Sequence, residues 1–389
     1  MRLAPNLILT ALALHSALTA ATYQGRELQA LTEPPTSPRE PIYVHIPAPS
    51  EGNYRVTVTL GSPEHPSDTT VKAELRRLMV ENVRTEAGKF ETRTFLVNIR
   101  TPQISSGGEV KLKPREKTSE ARAWDDKLTL EFIGSNPSVQ SIQVEKADDV
   151  PTLYIVGDST STDQPVEPFN SWGQMLTRFL KPTIAVANHG ESGESLKGFL
   201  GEGRWAKLLS LLRPGDYVLI QMGHNDQKEK GEGVGAFTTY KTDLKRFIAD
   251  TRAKGATPIL VTPMNRLTFN ETGTITNSLG DYPEAVRQTG REERAPVIDL
   301  NAMSAPLYEA LGPTDAHLLF AGKDTTHHSD YGSYQFAKCV TESLRRLDLP
   351  LAHYIFDQLQ RYDPTHPDPF ASFHIPAEPP TIAPKPYGN

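Results

Sequence analysis

Cysteine is almost missing: Cys339 is the only one among 389 residues. No disulfide can form within this chain, so stability has to come from core packing. Cys339 sits in the apolar helical stretch Tyr334–Leu347 and reads as a packed small side chain, not a nucleophile. An excess of positive charge is also missing. The 41 Lys and Arg face 47 Asp and Glu, for a net charge of −6. That balance gives no electrostatic reason to expect nucleic acid or anionic lipid as a partner. No apolar run is long enough to span a bilayer, so no membrane anchor is expected. Two absent motifs narrow the chemistry. G-x-S-x-G occurs nowhere, which argues against an ordinary α/β-hydrolase elbow. H-E-x-x-H and cysteine clusters are absent too, so no metal or other cofactor is expected. The glycine-rich run Gly231–Gly235 does not follow a strand in a dinucleotide-binding pattern and reads as a loop.

Hydrophobic residues make up 37% and charged residues 23%, which suits a folded chain of two or three domains. Residues 1–21 read as a secretory leader. Arg2 supplies the charged start, Leu7–Leu18 the apolar run, and Thr19-Ala20-Ala21 the small residues before cleavage. A secreted or periplasmic location follows as an expectation. Residues 22–41 form a polar, proline-rich lead.

From 42 to 147 the pattern is β. Tyr54, Val56, Val58 and Leu60 alternate with Arg55, Thr57 and Thr59. Val71 to Leu75, Phe95 to Ile99, Leu128 to Phe132 and Ile142 to Val144 alternate likewise. Gly61-Ser62-Pro63, Gly107-Gly108 and Gly134-Ser135-Asn136-Pro137 break the runs. Short strands without helices predict an all-β sandwich or jelly roll. The character changes near Asp148. Apolar strands are expected at 153–156, 184–187, 217–220, 259–262 and 297–300. Helices are expected at 172–180, 237–253 and from Tyr334. Fully apolar strands between helices predict an α/β domain over 148–350, a flavodoxin-like doubly wound parallel sheet with its site at the strands' C-terminal ends. The proline-rich tail, 351–389, carries Phe370, Phe373, Ile375 and Tyr387, too aromatic for a free linker, and part of it is expected to lie on the body.

Four polar clusters follow the strands or open the last helix. Gly157-Asp158-Ser159-Thr160 follows the first strand, where a serine can point into the crevice and its own N–H can face an oxyanion. By itself the cluster is equally an ordinary turn. Asn188-His189-Gly190-Glu191-Ser192-Gly193-Glu194-Ser195 follows the second, and Gly193 is the candidate oxyanion donor there; alone it is also a turn capped by Ser195. Gly223-His224-Asn225-Asp226 follows the third, with Asn225 as a side-chain amide donor and His224 not the expected base. Asp324-Thr325-Thr326-His327 offers a base and the carboxylate that fixes its tautomer. His328 is taken as structural.

The order Ser, Gly, Asn, Asp-x-x-His resembles the SGNH (GDSL-like) hydrolase superfamily. More closely, the chain is similar to the rhamnogalacturonan acetylesterase family of carbohydrate esterases. Gly203-Arg204-Trp205 and Gly280-Asp281-Tyr282-Pro283 add to the likeness, which covers about 151–347. The resemblance implies the SGNH fold, Ser159 as nucleophile, Asp324 and His327 as its partners, and Ser159 N–H, Gly193 and Asn225 as the oxyanion hole. It implies an acetylated polysaccharide or oligosaccharide as substrate, with rhamnogalacturonan or another pectin expected. An acetyl xylan esterase, a broad SGNH lipase or esterase, and a silent carbohydrate-binding protein are the alternatives. Compact fungal members carry disulfides and lack the β region, which is expected to brace the catalytic domain or shape its cleft. Arg266 or Tyr282, in the long loop from Met264 to Val286, could touch substrate.

Overall fold

The computed structural model describes residues 20–35, 40–378 and 386. The expected leader lies outside them except for Ala20 and Ala21, and so does Tyr387.

The first part consists of strands β1 (Ala21–Gln24), β2 (Thr32–Glu33), β3 (Ile42–Pro47), β4 (Gly52–Leu60), β5 (Ser67–Ala73), β6 (Arg77–Thr85), β7 (Glu91–Ile99), β8 (Lys127–Asn136) and β9 (Val139–Lys146), with a short helix α1 (Gly25–Ala30). They form two antiparallel sheets, ordered β1-β9-β4-β7 and β2-β3-β8-β5-β6. Val56, Val58 and Val97 of one sheet pack against Val44, Leu128, Leu130 and Phe132 of the other, as in a sandwich. The alternating residues read from the sequence are the inward faces of β4, β5, β7, β8 and β9, except Leu75, which lies beyond β5 and packs with Val110 and Trp124.

The supposed lead is different from its expectation. Residues 21–24 pair with β9, residues 32–33 pair with β3, and Leu28 of α1 is buried in the sandwich core. These strands are two to four residues long, too short for a period to show.

The second part holds a five-stranded parallel sheet: β10 (Thr152–Gly157), β11 (Ala185–Asn188), β12 (Tyr217–Gln221), β13 (Thr257–Val261) and β14 (Val297–Ile298). Its order, β11-β10-β12-β13-β14, is that of a flavodoxin-like sheet. Along β10, Leu153 and Ile155 face one side and Tyr154 and Val156 the other. The first side is covered by α2 (Trp172–Leu176), α7 (Leu300–Asp315) and α8 (Asp330–Arg346). The second is covered by α3 (Leu196–Gly201), α4 (Arg204–Leu211), α5 (Lys241–Ala253) and α6 (Tyr282–Glu293).

Several bounds differ from expectation. Asp299 accepts from Ala302 N at 3.1 Å and caps α7, so 299–300 opens a helix rather than ending a strand. The last helix starts four residues earlier than expected, at Asp330, where Ser329 accepts from Gly332 N at 3.2 Å. The tail docks. Phe370 and Phe373 meet the Tyr331 ring edge-on, Tyr331 donates to Asp368 O at 2.6 Å, and Ile375 joins the core. Among the described residues, no helix is long and apolar enough to cross a membrane.

The two parts share apolar packing. Leu78 of β6 lies in the core under α2, and Leu96 of β7 packs with Ala147, Val150 and Ala185.

Candidate active site

The first parallel strand ends at Gly157, where a Cβ would lie 1.9 Å from Ser161 Oγ and 3.0 Å from Gln221 O, so a larger residue would crowd the turn that follows. Asp158 is fully buried inside this turn. Its Oδ1 accepts from Thr160 N (3.0 Å) and Oγ1 (2.8 Å), and its Oδ2 faces His224 Nδ1 at 3.2 Å. Burial opposes the charge, but His224 and the Thr160 bonds hold the Asp158 carboxyl below its usual range. The turn leaves Ser159 with its main-chain oxygen fixed by Gln164 Nε2 at 2.8 Å.

Ser159 Oγ lies 2.9 Å from His327 Nε2, and His327 Nδ1 lies 3.0 Å from Asp324 Oδ2. Asp324 Oδ1 accepts the N–H groups of Thr326 (2.7 Å) and His327 (3.0 Å). The spacing Asp-x-x-His thus closes a turn in which one carboxylate oxygen caps the backbone and the other meets the imidazole. Burial works against the Asp324 charge. The bonds from His327 outweigh it and hold the carboxyl well below the usual carboxylate range. The edge of His327 meets the Phe169 ring, with centroids 6.0 Å apart.

Two more expected residues, Gly193 and Asn225, lie on loops tied to this one and to each other. Gly193 has φ +82°, a conformation that favours glycine. Among the described residues, the main-chain N–H groups of Ser159 and Gly193 find no acceptor in the protein. Gln164 Nε2 reaches both Ser159 O and Ser192 Oγ (3.3 Å), tying the Ser159 turn to the Gly193 loop. Asn225 gives one N–H to Glu194 O at 2.9 Å, and its Oδ1 accepts from Lys228 at 3.2 Å. Its other amide hydrogen finds no acceptor among the described residues.

The other histidines stand apart from the triad. His224 faces Asp158 and Met264 O (3.1 Å). His328 is packed among Phe320, Phe336 and Tyr308, and burial pushes it down to about 3, so it is neutral. The Tyr282 hydroxyl donates to Asp226 O at 3.1 Å. Arg266 N–H groups reach Gln227 Oε1 at 2.7 Å once that amide is oriented to accept. Cys339 is buried, and burial pushes its thiol up. No cluster of three metal-ligating side chains occurs among the described residues.

The sequence reading missed the residues that hold the loops in place. Arg76 donates to Phe169 O (2.9 Å) and pairs with Glu167. Arg77 Nε meets Asp163 Oδ2 at 2.6 Å, and Arg100 binds Asn188 O. Lys113 and Arg115 both bind Ser192 O, at 3.0 and 2.5 Å. All five come from the β part or its connecting loop, and all five end on the Ser159 turn with its sequel to Phe169 or on the Asn188–Glu194 loop. Trp124, the one tryptophan of the β part, is buried, with Arg100 over its ring at 4.3 Å and its Nε1 donating to Glu116 at 2.8 Å. It offers no exposed platform.

Comparison with known proteins shows which family the chain resembles. The GDSL-like Lipase/Acylhydrolase family model matches residues 155–333. Rhamnogalacturonan acetylesterase RhgT of Bacillus subtilis is 37% identical over 218 residues, 52% of this chain and 93% of that protein. A second Bacillus subtilis protein, described as "Probable rhamnogalacturonan acetylesterase YesY", is also 37% identical, over 53% of this chain and 98% of its own length. The uncharacterized esterase YxiM of the same organism is 28% identical over 285 residues, 68% of this chain and 74% of that protein.

Proposed function

The chain belongs to the rhamnogalacturonan acetylesterase-like family of GDSL-like hydrolases and is a carboxylic ester hydrolase, and from that premise we propose that it deacetylates a plant cell-wall polysaccharide, rhamnogalacturonan or a related pectin, through an acetyl-enzyme on Ser159. The observation that carries the mechanism is the continuous chain from Ser159 Oγ to His327 (2.9 Å) to Asp324 (3.0 Å).

In this reading His327 Nε2 takes the Ser159 proton as Oγ attacks the acetyl carbonyl. The charge that develops on the carbonyl oxygen is met by the N–H groups of Ser159 and Gly193 and the free amide hydrogen of Asn225. His327 then gives its proton to the sugar oxygen as the C–O bond breaks, leaving acetyl-Ser159 and a free hydroxyl. Water, activated by the same imidazole, releases acetate and restores the serine. Asp324 stays ionised throughout and keeps the Nδ1 proton in place. The sequence Arg2 to Ala21 supports export to where such a polymer would be met.

The test is acetate release from acetylated rhamnogalacturonan, homogalacturonan and xylan, with wild type and Ser159→Ala. The expected result is fastest release from rhamnogalacturonan and none above background with the variant. Faster release from xylan, or a preference for longer acyl esters, replaces the substrate assignment. Wild-type hydrolysis of 4-nitrophenyl acetate by Ser159→Ala overturns the mechanism.

A further inference from the structure

Ser192 C=O and Gly193 N–H belong to one peptide unit. In a trans peptide they point in opposite directions, so whatever captures the carbonyl sets where the N–H aims. Two cations capture this carbonyl: Lys113 Nζ at 3.0 Å and Arg115 guanidinium at 2.5 Å. Each cation is also held from the side. Lys113 pairs with Glu194, and Arg115 pairs with Glu191. Both carboxylates are buried and flank the same glycine in sequence.

The segment that carries the two cations is itself anchored. Glu116, one residue on from Arg115, is buried and accepts from Arg204 at 2.9 and 2.5 Å, from Trp124 Nε1 at 2.8 Å and from Lys113 N at 2.8 Å. Lys111 N donates to Glu202 O at 2.9 Å. On the other flank of the glycine, Asn225 Nδ2 holds Glu194 O. The Gly193 peptide is thus fixed at both ends, and glycine at φ +82° would otherwise be the residue most free to turn over.

We propose that Lys113 and Arg115 are positioning residues that lock and polarise the Ser192–Gly193 peptide, so that the β part of the chain completes the oxyanion site. This rests on the assignment of Ser159 as an esterase nucleophile. A carbonyl that accepts charged donors makes its own peptide N–H a stronger donor, because hydrogen bonds in a chain polarise one another. The oxyanion then meets a donor that needs no reorganisation during the reaction.

The test compares wild type, Lys113→Met, Arg115→Met, the double variant and Lys113→Arg on 4-nitrophenyl acetate, with melting temperatures alongside. Removing a whole oxyanion donor costs about a hundredfold to a thousandfold in kcat. Loosening one donor is expected to lower kcat about tenfold for each Met variant and about a hundredfold for the double variant. KM should stay within about threefold, and Lys113→Arg should recover most of the Lys113→Met loss. A double variant that is folded and keeps kcat within twofold of wild type overturns the proposal. So does a Lys113→Arg variant as impaired as Lys113→Met, or a loss that appears in KM alone. If the double variant does not fold, the single variants are read by the same criteria, since each leaves one cation on the carbonyl. Ser159→Ala serves as the control. If it is as active as wild type, the esterase assignment has failed; if it is inactive while the Met variants are not, only the positioning role has failed.

Discussion

Replacing Asp324 with asparagine keeps the shape of the triad and reverses its proton pattern. Asp324 Oδ1 accepts two main-chain N–H groups, at 2.7 and 3.0 Å, while Oδ2 faces His327 Nδ1 at 3.0 Å. Only the oxygen of an asparagine can accept those two amides, so its NH2 takes the place of Oδ2. That NH2 donates to Nδ1, which then has to be unprotonated, and the ring proton moves to Nε2. Nε2 sits 2.9 Å from Ser159 Oγ and in this tautomer cannot take the hydroxyl proton. A reversal of this kind lowers kcat about ten-thousandfold in a serine protease triad. At about 1.4 kcal/mol per factor of ten, that is about 5.5 kcal/mol of barrier. The assay is initial-rate hydrolysis of 4-nitrophenyl acetate near pH 7.5, with the melting temperature measured on the same preparation. Because the two backbone bonds survive, the fold should hold while the rate collapses. An Asp324→Asn enzyme within about tenfold of wild-type kcat, with an unchanged melting temperature, refutes the tautomer argument.

Other expectations concern the surroundings. Burial, with the Asp158 charge nearby, pushes the Asp226 carboxyl up to about 8, against the hydrogen bonds from Leu196 N and its own N–H. A raised carboxylate contributes stability that is complete below the unfolded value of 3.8 and lost as pH rises through about 8. The Asp226→Asn melting temperature should therefore fall less than that of wild type between pH 5 and 9, and parallel curves would contradict the burial argument. Arg204→Met leaves Glu116 buried without its cation, and breaking such a pair costs about 3–5 kcal/mol. Urea unfolding should show that loss, and a cost under about 1 kcal/mol would mean that Glu116 is not held by the pair. A Cβ on Gly173 would lie 2.2 Å from Ser161 O and 2.8 Å from Asn188 Nδ2. Gly173→Ala should lower stability by about 1–3 kcal/mol through overpacking and lower kcat as the Ser159 turn shifts; normal values for both would show that the turn has room to move.

The parallel sheet was legible because its strands are buried on both faces, which leaves an unbroken apolar run at each of β10 to β13. The polar clusters stood out against those runs, and three of them begin where a strand ends. The helices α6 and α7 were hidden by their own punctuation. Pro283 sits in the first turn of α6, and Pro306 and Pro313 lie within α7, where Gly312 at φ +74° marks a break. Strand β6 was missed because Glu81, Asn82 and Arg84 interrupt its alternation and Asn82 has φ +50°. The supports of the site were illegible for a different reason. Lys113 to Ser192, Arg115 to Glu191 and Arg77 to Asp163 join residues 76 to 86 positions apart, across two parts with different periodicity. Spacing within a segment carries no trace of such pairs.

Those cross-links bear on what the β part does. A buried ion pair contributes little stability beyond an apolar contact of the same volume. Apolar contacts already join the two parts, through Leu78 under α2 and Leu96 against Ala185. What the cations add is direction. Arg76 ends on Phe169 O, Arg100 on Asn188 O, and Lys113 and Arg115 on Ser192 O, each a carbonyl of a loop that frames Ser159. Without the β part, Asp163, Glu167, Glu191 and Glu194 would lose the Arg and Lys partners it supplies. Burial already pushes the Glu167, Glu191 and Glu194 carboxyls up, so without those cations they would shift further toward the neutral acid and no longer hold the loops by ion pairs. The sandwich therefore does more than cover apolar surface: it supplies the positive groups that bind the carbonyls and carboxylates of the loops around Ser159.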